Sequence, residues 1–122
     1  MDSSATRQRE APSAVQKAYD FMLWMLPHTA KYARNYKYTL GSEVQRYTLL
    51  VLERLVEASY TRSKIDLLQE ANTKLEVLRY LLRSSCDLQC ISIRQYECAI
   101  KMLYNLGVEV GGWLKEQRGK AN

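Results

Sequence analysis

The chain has 122 residues, of which 47% are hydrophobic, and it carries a net charge of +5. This composition fits one globular domain and excludes a disordered chain, and no apolar run approaches the roughly 18 residues of a membrane span. Three cysteines cannot all pair, and the N-terminus has no apolar signal core, so we expect a soluble cytoplasmic protein whose positive charge suits RNA, DNA or another acidic partner.

The N-terminal part predicts a polar leader over residues 1–12 and a first helix from Ser13 to about Ala33. Ser13 is a candidate N-cap, and Pro27 lies inside the pattern, where it should kink or briefly break the helix. Apolar residues at helical spacing predict the buried face of this helix. They are Val15, Ala18, Tyr19, Met22, Leu23, Met25 and Leu26.

Two further helices are predicted, the second from Gly41 or Ser42 to about Tyr60 and the third to about Asp87. Ser42 is expected to cap the second helix, and Thr61 or Ser63 the third. The inner stripe of the second helix is predicted at Val44, Thr48, Val51, Leu55, Ala58 and Ser59. The third helix carries a regular heptad seam at Leu68, Ala71, Leu75, Leu78, Leu82 and Ser85.

The fourth helix is predicted from an N-cap at Ser92 to about Lys115, followed by a basic tail at residues 118–122. Its inner stripe is expected at Tyr96, Ala99, Leu103, Leu106, Val110 and Trp113. Four helices with short connections predict an all-α, antiparallel up-down four-helix bundle over residues 13–117. Apolar faces wider than one seam suggest that part of the surface meets another subunit.

Residues typical of catalysis or metal binding are few in this sequence. His28 is the single histidine, and Cys86, Cys90 and Cys98 fall short of a four-ligand zinc set. We therefore expect no catalytic residue, metal or cofactor, with His28 as a packing residue and buried or half-buried thiols near one end of the bundle. Glu53 and Glu57 are interpreted as solvated charges beside Arg54 rather than as an acid–base pair.

Basic residues interleaved with tyrosines between Lys31 and Tyr47 are the strongest functional signal. Cations attract phosphates, and tyrosine rings can stack on bases or cover the edge of a core. Both nucleic-acid binding and an ordinary solvated face fit this pattern. The candidate nucleic-acid-binding residues are Lys31, Arg34, Lys37, Arg46, Arg62, Lys64, Lys74, Arg79 and Arg83.

Several segments in order resemble the accessory variability determinant family of diversity-generating retroelements. They are YTLGSE from Tyr38, LVEASYTRSK from Leu55, LLQEANTKLEVLRYLLR from Leu67, QYE from Gln95 and GGWLK from Gly111. The resemblance implies a non-enzymatic, barrel-like homopentamer that binds a reverse transcriptase and template RNA or DNA to support mutagenic retrohoming, with no membrane partner. Within the matching segments it implies a binding role for Arg62, Lys64, Lys74, Arg79 and Arg83.

A second family of four-helix bundles, encoded in intervening sequences of ribosomal RNA genes, is the alternative. Its members carry a segment like Asn-Ile-Ala-Glu-Gly in the second helix, where this chain has Val56-Glu-Ala-Ser-Tyr60. That departure favours the retroelement family. On the alternative interpretation, the protein is an oligomeric scaffold that does not bind nucleic acid directly.

Overall fold

A computed structural model describes residues 13–121 as four long helices. They are α1 (Ser13–Thr29), α2 (Ser42–Tyr60), α3 (Ile65–Asp87) and α4 (Ile93–Ala121), with no strand in this part of the chain. The predicted all-α four-helix fold is confirmed. The predicted leader, residues 1–12, lies outside the described residues.

The helices pack in cyclic order, so that each contacts the next and α4 returns to α1. Short connections make neighbouring helices antiparallel. We call the end with the α1–α2 and α3–α4 connections the upper end, and the end with the α2–α3 connection and the C-terminus of α4 the lower end. No helix within residues 13–121 has the combined length and apolar character needed to cross a membrane.

Helix α3 supplies the most regular face of the core. All six residues of its predicted seam, from Leu68 to Ser85, are buried. Each fully buried leucine contributes about 1.5–3 kcal/mol of transfer free energy. The stripe of α2 is confirmed from Val44 to Ala58, whereas Ser59 is only half-buried.

Helix α1 faces the core differently from the prediction. Its buried apolar residues are Ala14, Ala18, Phe21 and Met25. Tyr19 and Leu23 from the predicted face are instead 44% and 54% exposed. The six consecutive apolar residues Phe21–Leu26 cover every side of the helix, so spacing alone does not identify its inner side.

The end of α1 also departs from the prediction, because the helix is not broken at Pro27 and ends at Thr29 rather than near Ala33. Pro27 lies in the last turn, where its ring removes the hydrogen bond to the Leu23 carbonyl, and the helix ends two residues later. The buried Thr29 hydroxyl donates to the Leu26 carbonyl at 2.8 Å and accepts from Gln45 Nε2 at 2.8 Å. This polar contact joins α1 to α2.

The connection from α1 to α2 is mostly helical, although the sequence predicted a turn. It contains one helical turn, Arg34–Tyr36, and a π-helical turn, Lys37–Gly41, that leads directly into α2. Ser42 therefore does not cap α2, and its hydroxyl approaches the Lys37 carbonyl at 3.4 Å. Tyr32 is 3% exposed, and a Cβ on Gly41 would lie 3.3 Å from its ring, so glycine permits this close packing.

Helix α4 begins as predicted, because Ser92 and Gln95 form a capping box with reciprocal bonds of 2.9 and 3.0 Å. It continues well past Lys115 to Ala121. Its buried face ends on Leu114, whereas the predicted Trp113 and Tyr96 are half-buried. Before it, α3 ends in a Schellman motif with Gln89 at φ 63°, and α3 itself lacks the predicted side-chain cap from Thr61 or Ser63.

Candidate nucleic-acid interface

The nine predicted cations do not form one continuous surface. Lys31, Arg34 and Lys37 lie in the connection at the upper end, and Arg46 is nearby in the first turns of α2. The α2–α3 connection at the lower end holds two more, Arg62 and Lys64. The remaining three, Lys74, Arg79 and Arg83, are distributed along α3.

Lys31, Arg34 and Lys37 form the least encumbered group, which we call the upper basic cluster. Lys31 and Arg34 are exposed, Lys37 is half-buried, and none of them forms an ion pair with another residue in the 13–121 range. Lys37 Nζ lies 5.9 Å from the centroid of the Tyr38 ring. These positive charges therefore remain open to an anionic partner from solvent.

The tyrosines of this region differ in their environments. Tyr38 is 74% exposed, whereas Tyr32 is 3% exposed and belongs to the hydrophobic core. Tyr36 and Tyr47 are half-buried. Stacking on an exposed base is thus available to Tyr38 but not to Tyr32, whose role is structural.

Arg46 is engaged within the protein. Its Nε and Nη2 lie 3.1 and 2.9 Å from the two carboxylate oxygens of Glu43, and its Cζ lies 4.8 Å from the centroid of the Tyr47 ring. The hydrogen bond from Arg46 lowers the pKa of the Glu43 carboxyl below its usual value. An exposed pair of this kind adds little stability, but it offsets the positive charge offered to a phosphate.

Lys64 has a structural role at the lower end. Its Nζ donates to the carbonyl oxygens of Ala58 and Thr61, each at 2.6 Å. Because a helix leaves its last carbonyls without intrahelical donors, the ammonium completes the C-terminus of α2. Arg62 is exposed beside it and lines a shallow cleft with Lys120.

The cations of α3 also differ in whether they contact other residues of the protein. Arg79 Nε lies 3.1 Å from Glu76 Oε2, and its Nη2 lies 3.2 Å from the place of a Cβ on Gly107. Gly107 therefore admits the Arg79 side chain, whereas nothing lies within 4 Å of a Cβ on Gly111. Of these two glycines, only Gly107 is in close contact with a neighbouring helix, through the Arg79 side chain. Arg83 forms no ion pair with Asp87, which lies one turn further along α3.

His28 is a packing residue, as expected. Its ring stacks on Trp24 with centroids 4.0 Å apart, and its Nδ1 donates a hydrogen bond to the Trp24 carbonyl oxygen at 2.7 Å. Cys86 and Cys90 are half-buried near the upper end, and burial raises the pKa of the Cys90 thiol, while Cys98 is exposed, contrary to expectation. No group of three or more His, Cys, Asp or Glu residues in the described chain is placed to hold a metal ion.

Arg54 is the centre of an acidic group that the sequence showed only in part. Its guanidinium lies 2.7 Å from Glu53, 3.1 Å from Glu57 and 2.7 Å from Glu70. Glu70 comes from α3, and spacing along α2 gave no sign of it. Three carboxylates around one cation leave a net negative charge on this side of the bundle.

Taken together, these features define an all-α four-helix bundle with a net positive charge, and its candidate binding groups are cations on the surface. Its family model is the bAvd-like family, which matches residues 14–117. Because the match covers most of the chain, the protein belongs to the bAvd-like family, and the resemblance to accessory variability determinants is confirmed. Comparisons with curated proteins and with solved structures gave no significant match.

Proposed function

We propose that this protein is a non-enzymatic accessory protein of a diversity-generating retroelement. In this role it binds the reverse transcriptase and the template RNA or DNA, and so supports mutagenic retrohoming. The observation that carries the proposal is membership of the bAvd-like family over residues 14–117, an accessory protein family. The four-helix fold and the basic surface agree with that role.

Nucleic-acid binding is assigned first to the upper basic cluster, Lys31, Arg34 and Lys37. These cations are free of ion pairs with described residues, and exposed Tyr38 adds an aromatic ring beside them. Arg83 and Lys74 on α3 and Arg62 at the lower end are secondary contacts. Contacts of this kind bind phosphates and carry little sequence information.

Self-association strengthens such a surface. One chain carries a net charge of +5, and a homopentamer would carry five times that charge. Each added phosphate contact steepens the salt dependence and raises affinity at low salt. Exposed apolar side chains, including Leu23, Leu49 and Tyr104, supply surface for contact between copies.

An oligomeric scaffold without direct nucleic-acid binding is the second candidate. It is favoured by the engagement of Arg46, Lys64 and Arg79 within the fold, which removes three of the nine candidate cations from the open surface. On this alternative, the assembled protein binds the reverse transcriptase but shows no salt-sensitive affinity for RNA or DNA.

The test compares the two ends of the bundle. Lys31, Arg34 and Lys37 are changed together to Glu, and a matched triple changes Arg62, Arg118 and Lys120 to Glu with the same change in net charge. Fluorescence anisotropy with a labelled single-stranded RNA gives affinity over a salt series. The upper triple should lower the slope of log K against log salt by about 2 for each engaged chain, from about 0.7 for each lost contact.

The lower-end triple should leave most of the affinity in place. Equal losses in both triples would indicate general charge attraction rather than binding at the upper end. Unchanged affinity in the upper triple would reject the assignment, and a wild-type protein with no salt-dependent binding would favour the scaffold. Circular dichroism checks that helical content is kept.

A further inference from the structure

The outer surface of α2 carries a stripe of apolar and acidic side chains. Leu49, Glu53, Val56 and Tyr60 follow one another at steps of four, three and four, which places them on one face, and Glu57 lies one turn after Glu53. Tyr60 is 89% exposed and Leu49 45% exposed. Arg54 is shared among Glu53, Glu57 and Glu70, so this α2 stripe is negatively charged overall.

The outer surface of α4 carries a stripe of apolar and basic side chains with the same spacing. Lys101, Tyr104, Val108, Gly111 and Lys115 follow at steps of three, four, three and four, and all are exposed. Tyr104 is 60% exposed and Val108 54% exposed. Glu97 and Arg94, both exposed, lie one and two turns before Lys101 and offset each other, so this α4 stripe is positively charged overall.

The two stripes lie on opposite corners of the bundle, because α2 and α4 each pack against α1 and α3. One copy can therefore present both stripes at the same time without overlap. Gly111 has no side chain, and no atom lies within 4 Å of the place where a Cβ would be. A helix from another molecule can therefore approach the α4 stripe closely at this position. The α2 stripe carries larger side chains at the matching positions.

We propose that the α2 stripe of one copy packs against the α4 stripe of the next. The signs of the charges select this arrangement, because pairing two α2 stripes would oppose Glu53 and Glu57 to their own copies, and pairing two α4 stripes would oppose lysines. A contact between different surfaces is heterologous, and it builds a ring when its rotation closes. This inference rests on the proposed self-association and identifies the surfaces that form it.

Charge reversal tests the pairing in the full chain. One variant carries E53K and E57K, and another carries K101E and K115E. Size-exclusion chromatography with light scattering should show each variant alone falling toward the 14.2 kDa mass of one chain, at concentrations where the wild type is larger. Mixing the two variants in equal proportion should restore association, in open chains or in rings with an even number of subunits, because the two variants must alternate. All four changes in one chain should restore the wild-type mass.

Controls separate the pairing from general effects. D20K with D87K makes the same charge change as E53K with E57K, but on exposed residues outside both stripes, and should keep the wild-type mass. Because E53K and E57K remove partners of Arg54, V56E serves as a second α2 variant that leaves that group intact, and it should also lower the mass. Circular dichroism checks folding.

The results distinguish this inference from the proposed function. If the wild type assembles and the reversed variants keep its mass, the pairing is wrong and self-association stands. A reversed variant that keeps its mass but loses the reverse transcriptase in a pull-down would show that the stripes bind that partner instead, which also overturns the pairing. A wild type that stays a single chain at every concentration would reject both.

Discussion

The connections at the two ends of the bundle are held in place by different kinds of contact. At the upper end, the α1–α2 connection is fixed by an aromatic side chain, because Tyr32 is buried in the core and packs against Gly41. At the lower end, a short connection is fixed by a cation, because Lys64 donates to the carbonyls of Ala58 and Thr61. Both ends are basic in sequence, yet only the upper one leaves its cluster of cations unpaired with described residues.

This difference shows that the number of lysines and arginines in a segment does not measure its capacity to bind phosphate. A cation that completes a helix end is held by carbonyl oxygens and is costly to redirect. Where an apolar anchor fixes the chain, the neighbouring cations need no structural role. The upper end is therefore the better candidate for ligand binding.

Removing the anchor of the upper end should have the largest effect on stability. Tyr32→Ala deletes a buried aromatic side chain and should lower the free energy of unfolding by about 3 kcal/mol, as for other large-to-small changes in cores. Urea denaturation followed by circular dichroism measures it. Tyr38→Ala, at a 74% exposed position, should change stability by less than about 0.5 kcal/mol. Similar losses in both variants would contradict the assigned difference.

Removing the anchor of the lower end should have an intermediate effect. Lys64→Met keeps much of the side-chain volume but removes the ammonium from two carbonyls, at an expected cost of about 1–2 kcal/mol. Lys31→Met, at a residue whose side chain forms no hydrogen bond or ion pair with a described residue, should be nearly neutral for stability in the same denaturation experiment. RNA affinity should show the reverse order, with the larger loss in Lys31→Met. An equal stability cost for both variants would reject the capping role.

Among the changes to the two anchor residues, the smallest effect is expected from Tyr32→Phe. The Tyr32 hydroxyl is buried without a hydrogen-bond partner among the described residues, and the nearby Ser85 hydroxyl donates to the Leu81 carbonyl. Removing it should be neutral or stabilising by up to about 1 kcal/mol, since an unpaired buried hydroxyl costs free energy. A clear destabilisation would show that the hydroxyl is paired after all.

The Tyr32→Phe variant should also change how the free energy of unfolding depends on pH. Burial raises the pKa of Tyr32 above its usual 10.0, so the folded state keeps its proton at a pH where the unfolded state loses it. The stability from this residue is present below pH 10 and declines as pH rises above it. Denaturation between pH 8 and about 11 should show a shallower decline in Tyr32→Phe than in the wild type.

The buried face of a helix was predictable where the apolar residues repeat at helical spacing along one side. The seam of α3 and the N-cap at Ser92 were both foreseen, since each depends on neighbours within a few residues. Helix α1 was not, because apolar residues occupy all its sides between Phe21 and Leu26. The helical connection before α2 also escaped prediction, since its conformation depends on Tyr32 packing into a core formed by distant helices.

The candidate interface was predictable in composition but not in geometry. Sequence identified the cations, yet it could not show that Lys64 reaches backbone carbonyls or that Arg79 crosses to Gly107 on α4. These contacts depend on the path of a loop and on the rotation of two helices. The bias of charge between the outer faces of α2 and α4 was present in the sequence, but its meaning required the positions of the helices.

The hydrogen bond from Gln45 to Thr29 has a consequence for how the chain finds a single structure. Because α1 is apolar on many sides, it could rotate about its own axis with a small loss of buried area. Only one rotation brings the Thr29 hydroxyl within hydrogen-bond distance of Gln45 Nε2, since the other bond of that hydroxyl, to the Leu26 carbonyl, lies within α1 and does not depend on rotation. This pair therefore selects one arrangement among near-equal alternatives. Among relatives, the apolar residues of α1 should be interchangeable, whereas positions 29 and 45 should vary together.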